Sequence, residues 1–494
     1  MRSSSRSSSG SCARARSARW TTSAPSSTSA SSSLTELRGS DLRIVREQLG
    51  REPTTPFSVV ARCAEGHPLV IRNGPVDANG DPFPTLFWLT CPTAVKAVAR
   101  VEAGGAIGRY NERFERYPAF AEALERAHRE YAQERARDLP DALEWGGVGG
   151  TRRGVKCLHA HYANHLAGGD DPVGAEVATE VEPIHAPPGP RAAVVDLGTN
   201  SIRLLVFERG DDGDLRELAR DMVITRIGKA VDRTGRIDPE SLARTVTVLE
   251  RYCRRARALH ASLIRVSATS AVRDASNRDE LEEAVRANAG SDIEVISGER
   301  EAGLSFRGAT QGLDAPAPYL VLDIGGGSTE FVSGSERPEH AVSTQMGSVR
   351  LTERHVRHDP PTREEIDAMR SEIADVLGTV ERDVPVLDAH TFVAVAGTAT
   401  TVQAISLDLS RYDPDAIHRT RLAKTEVERV TRQLAAMTND ERAALPVMAP
   451  GRGDVIVAGA LVLLSVMERF GFDRALVSET DILDGLAMET AETL

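Results

Sequence analysis

The chain has 494 residues, 60 basic against 72 acidic, for a formal charge of −12. That length calls for two or three units, each able to bury its own core, and a composition of 41% hydrophobic and 27% charged residues is that of a globular protein. The negative balance argues against DNA as a partner, so any anion site must be local, built from loop amides and a few arginines.

The first 40 residues are Ser- and Arg-rich, and the first 35 contain no acid, so 1–40 reads as a disordered tail. Residues 41–167 form an α+β accessory domain, with strand-like pieces at 57–61, 69–72 and 85–89 and a charged helical stretch over 110–137. A Gly- and Pro-rich passage, 168–190, reads as a solvated linker. Beyond it, strand and helix signals alternate, which predicts an α/β fold. Short strands are expected at 192–195, 202–207, 263–266, 294–296, 319–322, 392–395 and 474–477. Asp238-Pro239-Glu240 has the form of a helix start, and Thr362 with Glu365 has capping-box spacing. The apolar run 455–467 is too short to span a bilayer and reads as a buried helix, so no membrane partner is expected. Five scattered cysteines, Cys12, Cys63, Cys91, Cys157 and Cys253, point to a reducing, cytoplasmic setting and not to a disulfide framework.

An internal echo carries more information. The stretch from Val194 to Ser201 (VVDLGTNS) resembles that from Val321 to Thr329 (VLDIGGGST), with Asp196 and Asp323 in matching places. Each aspartate ends an apolar strand, enters a turn of small residues and leads into another strand. Two such hairpins suggest a duplicated fold, 191–320 and 321–494, with its site between the halves. Glycine lets a backbone turn its N–H groups onto an anion. Gly198, Thr199, Asn200 and Ser201 in one turn, and Gly325, Gly326, Gly327, Ser328 and Thr329 in the other, are therefore candidate phosphate ligands. Carboxylates beside bound phosphates suit magnesium, and Asp196, Asp323 and Glu330 are assigned to Mg2+. Arg203, Arg226, Lys229 and Arg307 are candidates to line a polyanion path.

Four segments occur in order: DLGTNS (196–201), SATSAVR (267–273), SGEREA (297–302) and DIGGGSTE (323–330). Together they resemble the exopolyphosphatase and guanosine pentaphosphate phosphohydrolase family, with GTATT (397–401), GRGD (451–454) and SET (478–480) in agreement. The resemblance implies a duplicated actin-like (ribonuclease H-like) ATPase fold for the C-terminal part. It also implies that Glu301 is the catalytic base, that Arg273 contacts phosphate, and that Asp323 and Glu330 hold metal. Residues 397–401 fall where that superfamily has its adenosine-side loop. The substrate it implies is inorganic polyphosphate, with guanosine pentaphosphate (pppGpp) as the rival. An alarmone or polyphosphate sensor and a kinase-like ATPase are the readings from other classes. A homodimer is allowed. The sequence resembles the short form of the family, for which processivity on long chains is not expected.

Residues 41–167 resemble domain of unknown function 501, through PLVI (68–71), PTLFWL (84–89) and GVKCLHAH (154–161). That resemblance implies a second, separate unit and no activity. Cys157, His159, His161 and His165 are zinc-ligand types, as are Cys63, His67 and Cys91, but no Cys-x-x-Cys pair is present. Buried cysteines with surface histidines are the expectation.

Overall fold

A computed structural model describes residues 39–77, 79–181 and 189–494. Most of the expected tail lies outside the described residues, as do Pro187 and Pro188. Residues 39 and 40 already belong to a helix, Gly39–Leu49.

The front part is a three-stranded antiparallel sheet of β1 (Phe57–Arg62), β2 (Pro68–Asn73) and β3 (Phe87–Leu89), with helices packed on it. The charged stretch 110–137 is two helices, Ala106–Arg116 and Pro118–Ala136. Tyr117 between them is extended (φ −121°, ψ 101°), and Pro118, which lacks an N–H, opens the second.

The described first part of the passage expected as a linker, 168–181, is folded. Helix Pro172–Val181 buries Val173 and Val177. Asp171 caps it, with Oδ1 accepting from the N–H groups of Val173 and Gly174. The glycines here serve close packing: a Cβ on Gly174 would stand 2.2 Å from His161 O, and one on Gly168 2.6 Å from Arg251 O. His161 is not a surface histidine. It is fully buried, with Nδ1 2.8 Å from Asp171 Oδ2.

The second sheet contains β4 (Arg191–Leu197), β5 (Ser201–Arg209), β6 (Leu215–Ile224), β7 (Leu263–Ala268) and β8 (Glu294–Val295), in the order β6-β5-β4-β7-β8. The third contains β9 (Tyr319–Ile324), β10 (Thr329–Gly334), β11 (Pro338–Thr344), β12 (Thr391–Val395), β13 (Thr420–Ala423) and β14 (Arg474–Val477). Its order, β11-β10-β9-β12-β14-β13, repeats that of the second sheet and adds β13 at the edge. In each half an antiparallel meander is followed by parallel strands reached through helices. The duplication expected from the sequence is therefore present. The central strands β4 and β9 are buried almost throughout, which is why they read as apolar runs. Edge strands β6, β11 and β13 gave no such signal.

Local cues hold where they were strong. Asp238 accepts from Ser241 N–H at the start of helix Pro239–Ala258, and Thr362 and Glu365 form a reciprocal capping box. The apolar run near 460 is the buried helix Ile456–Phe470.

The front part packs against the first half of the duplicated fold. Val60 and Val70 belong to the same apolar core as Leu218, Val248 and Tyr252. Polar ties cross the same boundary: Arg251 Nη1 lies 2.7 Å from Glu134 Oε1, and Arg254 Nε donates to Gly168 O at 2.8 Å. The third sheet has its own core, so a cleft between the halves is free to carry the chemistry.

Candidate active site

Both glycine turns are hairpin tips. Gly198 N–H donates to Ser201 O at 2.9 Å, and Gly325 N–H donates to Ser328 O at 3.0 Å. The tips meet, because a Cβ on Gly327 would stand only 2.7 Å from Thr199 Oγ1. Only glycine permits that approach. Among the described residues, the N–H groups of Thr199, Asn200, Gly326 and Gly327 donate to no protein acceptor. Four amides thus stay open to an anion. Residues 198–201 and 325–328 all border one cavity of about 480 Å³.

Thr329 requires a correction. It is fully buried, its hydroxyl donates to Met346 O, and it lies off the cavity wall. The expected phosphate contact from its side chain is not available, because β10 turns that side chain into the protein.

The cavity floor is acidic, with Asp196, Glu301, Asp323 and Asp481 on its wall. Glu330 is behind them, directly opposite Asp323 in the β9–β10 register, and accepts from Ser343 Oγ at 2.7 Å. Ser305 Oγ donates to Asp323 Oδ2 at 2.5 Å. Burial first, then neighbouring carboxylates, pushes Asp323 up to about 6 and Glu330 up to about 8. Asp196 is also raised by burial, although Arg203 opposes this by donating to its Oδ2 through Nε and Nη2 at 3.0 and 2.7 Å. Arg203 bonds Asp481 with its remaining nitrogen, so it braces carboxylates and does not stand free along a polyanion path. Arg307 pairs with Glu492, and Arg226 with Asp454 at 2.9 Å.

Glu301 sits in the first turn of helix Gly298–Thr310, which Ser297 caps by accepting from Arg300 N–H. The turn points Glu301 inward, leaving it 8% exposed, while Glu299 is exposed. Burial raises Glu301 well above the ordinary carboxylate range, helped by Glu330, Asp323 and Asp196 and opposed by Arg273. Arg273 Nη1 lies 3.4 Å from Glu301 Oε2 and donates to Ile296 O at 2.8 Å. Arg273 is off the cavity wall, so here it steadies Glu301 where a direct phosphate contact was expected.

Sequence reasoning missed two wall residues. Asp481 directly follows the quoted SET segment after β14. Arg452 lies over the turn after β12. Its Nη1 donates to Gly397 O at 3.1 Å and Thr401 Oγ1 at 2.8 Å, and its Nη2 lies 3.5 Å from Met222 Sδ. None of these partners is anionic, so a half-buried cation faces the cavity beside Gly397 and Thr398. Glu52, Pro53, Thr55, Pro56, Phe57 and Ser58 of the front part also line the cavity.

Residues 205–493 match the Ppx/GppA phosphatase family. The chain belongs to that family. Exopolyphosphatase 2 of Mycobacterium tuberculosis is 44% identical over 314 residues, covering 61% of this chain and 98% of that protein. A guanosine-5'-triphosphate,3'-diphosphate pyrophosphatase of Vibrio atlanticus is 27% identical over 311 residues, covering 61% of this chain and 60% of that protein. A crystal structure of an exopolyphosphatase-like protein, 35% identical, superposes with a TM-score of 0.59 over 61% of this chain and 99% of its own. The two-fold-repeated α/β architecture of this Ppx/GppA chain is thus the actin-like fold of its relatives. Residues 59–179 match a second family, the protein of unknown function DUF501. That match ends within helix Pro172–Val181, consistent with a folded segment where a linker was expected.

Proposed function

We propose that this chain is an exopolyphosphatase, releasing terminal orthophosphate from inorganic polyphosphate with magnesium. The observation that carries the reading is an oxygen-only set of buried carboxylates, short of positive charge, beside four open backbone amides. The set fits a hard divalent cation: Asp196 Oδ1 is buried with no hydrogen-bond partner, and Asp323 and Glu330 are both raised by burial and then by neighbouring carboxylates. Asp196, Asp323 and Glu330 would hold the ion. Magnesium bound there would supply charge that neutralises the cluster and the phosphate oxygens.

The chain's own groups account for the remaining chemistry. The amides of the two tips, with the Thr199, Ser201 and Ser328 hydroxyls, hold the terminal phosphoryl group. Arg452 is placed to meet phosphate oxygens on the adenosine-side wall. Glu301 orients a water in line with the terminal phosphorus and takes its proton as the new P–O bond forms. The bridging P–O bond breaks, giving orthophosphate and a chain shorter by one phosphate. Arg273 holds the Glu301 carboxylate in position, and a proton affinity raised by burial suits a general base.

Guanosine pentaphosphate is the second reading, favoured by the pyrophosphatase relative. The same groups would release its terminal phosphate.

Phosphate release by the full chain, with and without magnesium, tests both. Rapid magnesium-dependent release from polyphosphate supports the main reading, and preference for guanosine pentaphosphate replaces it with the second. Tight binding without release from either substrate, or from ATP, would sink the enzyme reading and leave a sensor.

A further inference from the structure

The front part places three potential metal ligands together, far from the phosphatase chemistry in sequence. Glu102 lies near the end of helix Pro92–Ala103, and Cys157 is the residue preceding helix Leu158–Leu166, with His159 in its first turn. Cys157 Sγ is 3.9 Å from His159 Nδ1, and His159 Nδ1 is 3.2 Å from Glu102 Oε1. The three ligand atoms all lie within 4.8 Å of one another.

The ring orientation is what makes this more than a polar cluster. His159 Nε2 is 3.1 Å from Val95 O. A carbonyl only accepts, so Nε2 carries a proton and donates it. In a neutral ring Nδ1 is then a lone pair, aimed at a carboxylate oxygen and a sulfur. Such an arrangement needs a positive charge between the groups, which a further proton or a metal ion can supply. Tying one ring nitrogen to a backbone carbonyl is how proteins aim the other at a metal. Glu102 is fixed as well, because its Oε1 accepts from Leu158 N–H at 2.7 Å.

The spacings also fit. Zinc bonds of about 2.3 Å to sulfur and about 2.0–2.2 Å to nitrogen or oxygen give tetrahedral ligand edges of about 3.3–3.6 Å. The observed 3.2 and 3.9 Å bracket that range. Thiolate, imidazole and carboxylate together suit zinc better than magnesium. Side chains of His159 and Glu102 are about a quarter exposed, at 24% and 25%, which gives an ion a route in and room for a water as fourth ligand.

We propose that Glu102, Cys157 and His159 form a zinc site in the front part, joining helix Pro92–Ala103 to helix Leu158–Leu166. The site is independent of the phosphatase reading. The rival arrangement is a proton in place of the metal, with His159 an imidazolium raised to about 9, chiefly by the Cys157 contact. A second group, Cys63, Glu65 and His67, also brings ligand atoms together. It lies on the turn between β1 and β2, where Glu65 and His67 are 62% and 50% exposed and so less fixed than Glu102 and His159.

The test uses the tag-free full chain, purified without chelator, with metal content read by mass spectrometry. About one zinc per chain is expected, lost in Cys157→Ser and in His159→Ala and kept in His67→Ala. Metal-stripped wild type given cobalt(II) should show a thiolate-to-cobalt charge-transfer band in the near ultraviolet, which does not depend on any variant folding. Zinc-free protein with no cobalt band would overturn the proposal and leave the imidazolium. Zinc retained in Cys157→Ser but lost in His67→Ala would overturn it in favour of the other group.

Discussion

Asp323 and Glu330 stand directly opposite one another across β9 and β10, in the place that Asp196 and Arg203 hold across β4 and β5. The duplicated hairpin thus carries a salt bridge in one half and a like-charge pair in the other. Opposed like charges destabilise a sheet, and here both carboxyls are raised, Asp323 to about 6 and Glu330 to about 8.

Stability should therefore depend on pH in a defined direction. Both groups have folded values above their unfolded ones, so the folded chain binds more protons than the unfolded chain. In excess chelator their contribution is fully present below about pH 4 and is lost as pH rises to about 8. Melting temperature with chelator should fall across that window. Added magnesium should raise it more near pH 8 than near pH 5, where protons already neutralise part of the cluster. Scanning calorimetry at several pH values checks this, and a magnesium increment that does not vary with pH would show that the cluster is not the binding site.

Arg203 supports the opposite half. It is 20% exposed, and its partners Asp196 and Asp481 are 3% and 5% exposed. Arg203→Met leaves two buried carboxylates without their cation, at a cost of about 3–5 kcal/mol. Adding Asp481→Asn should recover part of that loss, since one of the stranded charges is removed. Urea melts of the two variants measure the difference. Additive losses would mean that the ion pair is not a coupled unit.

How much of this could be read from the sequence follows from how local each signal is. Asp196 and Asp323 were legible because strand, aspartate and glycine turn are contiguous, as are the caps at Asp238 and Thr362. The fold was legible because the hairpin occurs twice. Asp481 was not, since its tie to Arg203 spans 278 positions and only the closing of the two halves brings them together. Arg452 was quoted as part of a motif, but its cavity position depends on packing over Gly397. The linker reading failed for a different reason: glycine marks both flexible chain and close approach, and at Gly168 and Gly174 close approach is the case. Thr329 lay in the motif, and only the direction of its side chain decided against it.

Glu301 gives the sharpest activity prediction. Glu301→Gln keeps the size and most hydrogen bonding of the side chain but removes its basicity. Phosphate release should drop by about 100- to 10,000-fold. The same change removes a charge that burial disfavours, so the variant should melt at or above the wild-type temperature. Initial rates and a melt on one preparation separate the two effects. A variant that loses activity and stability together would indicate a structural role for Glu301. Glu299→Gln, on the exposed side of the same turn, should leave the rate near wild type.

If the chain acts as proposed, the front part should influence which polyphosphates are used, because Glu52 and Phe57 line the same cavity as the two glycine turns. Glu52 is 68% exposed and pairs with Arg46 at 2.6 Å, so it places a carboxylate in a solvated position on the approach to the site. A polyanion entering past it meets repulsion, which adds to that of a chain already at −12. Glu52→Lys reverses the local charge and should raise kcat/KM for polyphosphate by about two- to fivefold at low salt, a Coulomb effect of under one kcal/mol at high dielectric. The gain should shrink at high ionic strength as screening shortens its reach. Longer chains should gain most, since more of their phosphates lie near the entrance while the terminal one is bound. Equal kinetics for Glu52→Lys and wild type on short and long chains at low salt would mean that substrate enters by another route, and that the contact between the front part and the cavity is structural alone.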